Sequence, residues 1–193
     1  MRVISGKYAR RAIESPEWAG VRPLLSRLRR AVFDTLMPYL PHGPFLDLFG
    51  GTGAFTLEAL SRGAPSATTV ELDPRTAKLI QSNLAHANVQ EPVDLRHGDA
   101  VKVLQDLVNE GKRYNVIAIA PPYREGLENK ILDILDANPQ LLLPDGIAFV
   151  QYPTDDKSII TERNRLELWR EKNYGQTIFT YYLPPEDVSS EDE

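Results

Sequence analysis

The run Asp47-Leu48-Phe49-Gly50-Gly51-Thr52-Gly53 joins a short apolar stretch to a helix-forming one. Glycines there permit a tight turn and a close approach of backbone to a ligand, and the helix that follows offers unpaired N–H groups. A glycine loop alone also fits a plain turn between strand and helix. The spacing fails the dinucleotide fingerprint, because Thr56 stands where Gly-x-Gly-x-x-Gly needs its third glycine. Three more motifs close successive strand-like runs. Glu71-Leu72 ends the second, where a carboxylate can accept two hydrogen bonds from ribose hydroxyls. Asp99-Ala100 follows the third and suits an adenine amine, and Ala120-Pro121-Pro122-Tyr123 follows the fourth. Any one carboxylate reads equally well as a helix cap. Four motifs in register describe a ligand crevice at the carboxyl ends of a parallel sheet. Asp47 has two readings: attraction of a cationic ligand group, or fixation of the glycine turn through backbone N–H groups.

The elements that must position these residues follow from periodicity. Leu25, Leu28, Val32, Phe33 and Leu36 form a helical stripe, predicting a helix over 25–40. Strands are expected at 45–49, 67–72, 93–97, 114–120 and 147–152, and helices at 54–62, 74–87, 101–110 and 127–137. Strict alternation of this kind implies a parallel sheet covered on both faces. Residues 166–172 and 177–183 flank Asn173-Tyr174-Gly175-Gln176, a hairpin signal. The expected fold is α/β and Rossmann-like. Its sheet is seven-stranded and mostly parallel with an antiparallel terminal hairpin, the order of class I methyltransferases. The expected organisation is a basic arm over 1–24, one domain over 25–185 and an acidic, unstructured tail over 186–193.

Composition narrows the chemistry. The chain has 193 residues and no cysteine, which excludes disulfides, zinc–thiolate sites and a cysteine nucleophile. The three histidines, His42, His86 and His97, have no metal-ligand spacing, so no metal is expected. No apolar run reaches the roughly 18 residues of a membrane span, and no signal peptide is legible, so a cytoplasmic protein is expected. The net charge of −5 hides an asymmetry. Residues 1–30 hold eight Lys/Arg against Glu14 and Glu17, while the rest of the chain is strongly acidic. A basic end on an acidic body suggests a polyanion-facing surface; long cations solvating a helix face fit as well.

Taken together, Asp47–Ala54, Glu58–Ala64, Glu71-Leu72-Asp73, Asn83-Leu84, Gly98-Asp99-Ala100, Pro121-Pro122-Tyr123 and Tyr174–Thr177 resemble the RsmD-type 16S rRNA guanine-N2 methyltransferases. Gly6-Lys7, Arg22-Pro23, Arg27 and Arg29 resemble that family's N-terminal segment, so the likeness spans about residues 2–183. The resemblance implies S-adenosylmethionine as donor and the N2 amine of a guanine in small-subunit rRNA as acceptor; a monomer acting on RNA is expected. It places the donor on Asp47, Gly51, Gly53, Glu71 and Asp99; their neighbours Phe49, Gly50, Thr52, Leu72 and Ala100 are expected to share the donor site. It places the reacting amine on Ala120, Pro121, Pro122 and Tyr123, and RNA on Arg22, Arg27 and Arg29; Arg10 and Arg11 of the basic segment are expected to face RNA as well.

An exocyclic base amine is a poor nucleophile, because its lone pair is delocalised into the ring. Acceptors for its protons and alignment with the departing methyl supply the rate. The family's usual loop opens with Asp or Asn before Pro-Pro-Tyr, and its tyrosine stacks an extruded base. Here Ala120 removes the side-chain acceptor, and Gln151 stands where a glutamate is common. Three alternatives therefore stay open: transfer to another amine such as adenine N6 in RNA or DNA, an RNA-binding protein of ribosome assembly that has lost turnover, and, last, a nicotinamide oxidoreductase.

Overall fold

The computed structural model describes residues 1–15, 26–122, 125–156, 158–159 and 161–186. Five parallel strands, β1 (Phe45–Asp47), β2 (Ala67–Glu71), β3 (Val93–His97), β4 (Tyr114–Ile119) and β5 (Leu142–Pro153), are followed by β6 (Glu167–Asn173) and β7 (Thr177–Leu183). They form one seven-stranded sheet in the order β3-β2-β1-β4-β5-β7-β6, with β7 antiparallel to both neighbours. This is the expected class I methyltransferase architecture.

The apolar runs explain the layering. Every residue of β4 is buried, and alternate side chains enter opposite cores. Val116 and Ala118 join the core under α1 (Ser26–Leu36), α2 (Ala54–Ser61) and α3 (Pro74–His86). Ile117 and Ile119 join the core under α4 (Ala100–Asn109) and α5 (Leu127–Ala137). Strand order reverses beside β1, so the loops after β1 and β4 flank a natural ligand crevice.

Two expected boundaries move. Helix α1 stops at Leu36, and a 3-10 turn follows at Leu40–His42. Pro38 is the physical reason, since a proline disfavours helix in the residue before it. Strand β5 begins at Leu142 rather than 147, because a register shift between Tyr114 and Val116 lets both ends of the strand pair with β4.

Residues 1–15 are part of the main core, with Val3, Tyr8 and Ile13 at most 4% exposed. They fold back through an Arg2–Ala12 bridge and dock on α2. Gly6 has φ +85°, and a Cβ there would lie 1.8 Å from the Ser61 carbonyl oxygen. Only glycine fits that approach, and Lys7 N donates to the same oxygen at 2.7 Å. The rest of the arm, residues 16–24, and all but Glu186 of the acidic tail lie outside the described residues.

Candidate active site

The tips of four adjacent strands bring the predicted motifs together. The glycine loop runs from β1 into α2, whose N-cap Gly53 is left-handed at φ 77° and whose first turn has no side-chain cap. That leaves helix-end N–H groups beside the loop. Gly98 N donates to Glu71 O at 3.0 Å, which sets Asp99 next to the end of β2. Asp47 pairs with Ala118 across β1 and β4, so Ala120 and Pro121 emerge beside the glycine loop.

Glu71 fastens the loop to β2. Its Oε2 accepts from Gly51 N at 2.8 Å and its Oε1 from Asp73 N at 2.9 Å. A carboxylate oxygen has two acceptor sites, so each keeps capacity for a hydroxyl donor. Leu72 beside it is 67% exposed, an apolar side chain standing in solvent at the strand tip. Asp99 caps α4, accepting from Lys102 N at 3.0 Å through Oδ1. Ala100 and Gly50 are buried, and Phe49 and Gly51 are half-buried.

Asp47 lies inside the fold. It is fully buried and accepts from Phe49 N at 3.3 Å and Thr56 Oγ1 at 3.0 Å. Of its two sequence readings, the structure shows turn fixation. Burial pushes its carboxyl up to about 6, against the two hydrogen bonds. The folded chain therefore holds a proton near pH 5 that the unfolded chain has released. The contribution of Asp47 to stability is expected to be full below about pH 4 and to be lost as pH rises through 6, by up to about 1.4 kcal/mol per pH unit. Urea titrations of wild type and Asp47→Asn across pH 4–8 check this, because the difference between them should carry that slope.

Thr52 turns away from the crevice. It is 5% exposed, with its hydroxyl 4.0 Å from the Met1 sulfur. Its carbonyl accepts from Asn83 Nδ2 at 2.9 Å, and Asn83 also exchanges hydrogen bonds with the backbone of Glu14. Asn83 thus ties the arm to the glycine loop. Nothing in its own type suggested this; a polar residue on the buried stripe of an amphipathic helix was the available signal.

Arg29 is the clearest correction. The expected RNA-facing side chain is 2% exposed. Its guanidinium donates to Met1 Sδ and to the Arg2 carbonyl, and its Nε lies 3.8 Å from Glu58. Burial lowers its pKa, with Glu58 opposing the shift. The helical position that puts Leu28 and Val32 inside carries Arg29 inside with them. Arg10, Arg11 and Arg27 are exposed. Arg22 and Tyr123 lie outside the described residues. Pro121 is buried and Pro122 exposed. Gln151 is buried in β5, opposite Phe179 of β7.

Sequence reasoning also missed Glu128. Helix α5 buries the stripe Glu128, Ile131, Leu132, Leu135 and Asp136. Asp136, at the far end, accepts from the backbone N–H groups of Asn164, Arg165 and Leu166, which hold its carboxyl below the usual range against its burial. Glu128 is 0% exposed, and neither of its carboxyl oxygens has a hydrogen-bond partner. Burial raises its pKa. No group of His, Asp or Glu suited to a metal occurs among the described residues.

Comparisons with known proteins agree with this geometry. The family described as conserved hypothetical protein 95 matches residues 1–183. The ribosomal RNA small subunit methyltransferase D of Escherichia coli is 31% identical over 186 residues, 94% of this chain and 89% of that protein. The solved Escherichia coli protein yhhF superposes with a TM-score of 0.83 at 29% identity, covering 97% of this chain and 99% of that one. An RNA methyltransferase from Salinibacter ruber, solved with S-adenosyl-L-homocysteine, shares the fold at a TM-score of 0.61 and 16% identity, covering 89% and 99%. Near-full-length matches to glycine loop, strand tips and terminal hairpin alike have one consequence: this chain belongs to the conserved hypothetical protein 95 family, the RsmD-type methyltransferases.

Proposed function

We propose that this protein transfers a methyl group from S-adenosylmethionine to the exocyclic N2 amine of a guanine in 16S rRNA. The observation that carries the reading is the glycine loop, pinned by Glu71 at the sheet's reversal point beside the Ala120-Pro121-Pro122 loop. The named activity of the Escherichia coli relative supports it.

The residues present fit the donor. Glu71 has acceptor capacity for a ribose diol, Leu72 offers apolar contact to an adenine, and Asp99 at the next strand tip accepts from an adenine amine. When bound, S-adenosylmethionine supplies an electrophilic methyl on a sulfonium leaving group. The Gly50–Gly53 backbone and the start of α2 hold its amino-acid end. Asp47 and Thr56 keep that turn in shape from below, and Phe49 flanks it. The carbonyls of Ala120 and Pro121 accept from the substrate amine, Pro122 shapes the loop, and Tyr123 stacks the extruded base. Arg10, Arg11 and Arg27 meet phosphates, and Arg22 belongs to the same basic segment. Arg2, Arg10 and Arg30 line a groove of about 660 Å³ between arm and α1, a setting for a polyanion.

Incubation of the purified protein with labelled donor and unmethylated small-subunit rRNA, followed by nucleoside mass spectrometry, is expected to yield N2-methylguanosine. Labelled N6-methyladenosine would move the reading to a different amine. The missing side-chain acceptor at Ala120 favours one rival, a protein that binds RNA and donor without turnover. That rival predicts binding of both with no labelled product.

A further inference from the structure

We propose that His97 is a positioning residue for the methyl donor, directing the Glu71 carboxylate at the ribose through the Leu72–Asp73 peptide; this rests on the donor placement proposed above. Parallel pairing sets His97 opposite Glu71 at the tips of β3 and β2. Gly98 N ties the Glu71 carbonyl at 3.0 Å. The His97 side chain reaches past it and bonds the Leu72 carbonyl at 3.0 Å through Nε2. A carbonyl only accepts, so Nε2 carries the hydrogen. On the other side of the same peptide, Asp73 N donates to Glu71 Oε1 at 2.9 Å. No cis peptide occurs among the described residues, so the C=O and N–H of this unit point opposite ways. Bonds at both ends fix its plane.

The consequence is the direction of Glu71. Each of its oxygens has one backbone anchor, Gly51 N for Oε2 and Asp73 N for Oε1. The first anchor belongs to the glycine loop. The second is only as well placed as the Leu72–Asp73 peptide, and His97 holds that peptide from the neighbouring strand. A hydrogen bond on a carbonyl also polarises its amide, which makes Asp73 N a better donor to the carboxylate. Satisfaction of polar groups does not call for this bond. Leu72 is 67% exposed and His97 is exposed as well, so water could serve both. Water does not supply a fixed direction, and a ribose diol gains most from a carboxylate already aimed at it. The same bond fixes the backbone of Leu72, whose side chain offers the adenine its apolar contact. Ribose and adenine contacts thus share one support.

Calorimetry with S-adenosyl-L-homocysteine and its 2′-deoxyribose analogue, on wild type, His97→Gln and His97→Phe, tests the assignment. Glutamine keeps an N–H donor at similar reach and loses the ring; phenylalanine keeps the ring and loses the donor. His97→Phe is expected to bind S-adenosyl-L-homocysteine about tenfold more weakly, and His97→Gln within about threefold of wild type. Removal of the 2′-hydroxyl is expected to cost wild type about tenfold in affinity but His97→Phe less than about threefold, because a misdirected carboxylate gains little from the hydroxyl. A side chain that only supports the fold would leave that hydroxyl penalty unchanged. His97→Phe binding as tightly as wild type, or more weakly with the full hydroxyl penalty, would overturn the role of His97 and leave the donor site intact. So would a loss in His97→Gln as large as that in His97→Phe. A wild type that binds neither compound, or that ignores the hydroxyl, would overturn the donor placement and this assignment together.

Discussion

Glu71→Ala is expected to lower S-adenosylmethionine affinity by about 100-fold, because the two charge-assisted hydrogen bonds proposed to the ribose would carry roughly 3 kcal/mol between them. The loss has a second origin in the protein itself. Glu71 accepts from Gly51 N and Asp73 N, so the substitution also releases the glycine loop from β2. Glu71→Gln separates the two effects. Its amide oxygen can keep one backbone bond, while its amide nitrogen faces another donor. Calorimetry should therefore rank wild type above Gln and Gln above Ala, with melting temperatures lowered less than affinities. Undiminished donor binding by Glu71→Ala would remove the crevice from the reading altogether.

Glu58→Leu is expected to give the largest loss of stability of any single substitution in the arm's docking site. Glu58 is fully buried and collects Ile4 N at 2.8 Å, Ser5 N at 3.1 Å and Arg62 Nε at 2.8 Å, with Arg29 Nε at 3.8 Å. Removing it leaves two backbone donors and the buried Arg29 guanidinium without their anion. Breaking a buried pair from one side typically costs about 3–5 kcal/mol. For a chain of this length that corresponds to a melting temperature lower by roughly 10 °C. Arg29→Met combined with Glu58→Leu should recover part of the loss, because the second change removes the stranded charge. Thermal unfolding of the two single variants and the double variant measures this coupling directly. Additive losses would mean that Arg29 and Glu58 do not form one network.

The fate of Arg29 shows where sequence reasoning ends. Eight cations in the first thirty residues read as one polyanion-facing surface, yet at least one of them holds the arm to the core. An arginine on a helix reads the same whether it meets water or a carboxylate brought from α2. The pairing partner lies twenty-nine positions away and is chosen only by packing. Glu58 did carry a local signal, since a charged residue within a helix buried from Thr56 to Ser61 must have partners. Which partners it has, Ile4, Ser5, Arg29 and Arg62, was invisible until the arm docked.

Periodicity and turn chemistry determined the strand and helix order, the terminal hairpin and the positions of the glycine loop, Glu71, Asp99 and the Pro-Pro turn. These are local properties: side-chain period, capping residues and glycine spacing act over a few residues and are written in neighbouring positions. Tertiary structure alone decided that residues 1–15 belong to the core, that Asp47 and Thr52 face inward, and that Asn83 links arm to loop. It also decided that of two carboxylates on one helical stripe, Asp136 is satisfied and Glu128 is not. Each of those outcomes depends on burial and on hydrogen-bond partners distant in the chain, and a linear pattern specifies neither.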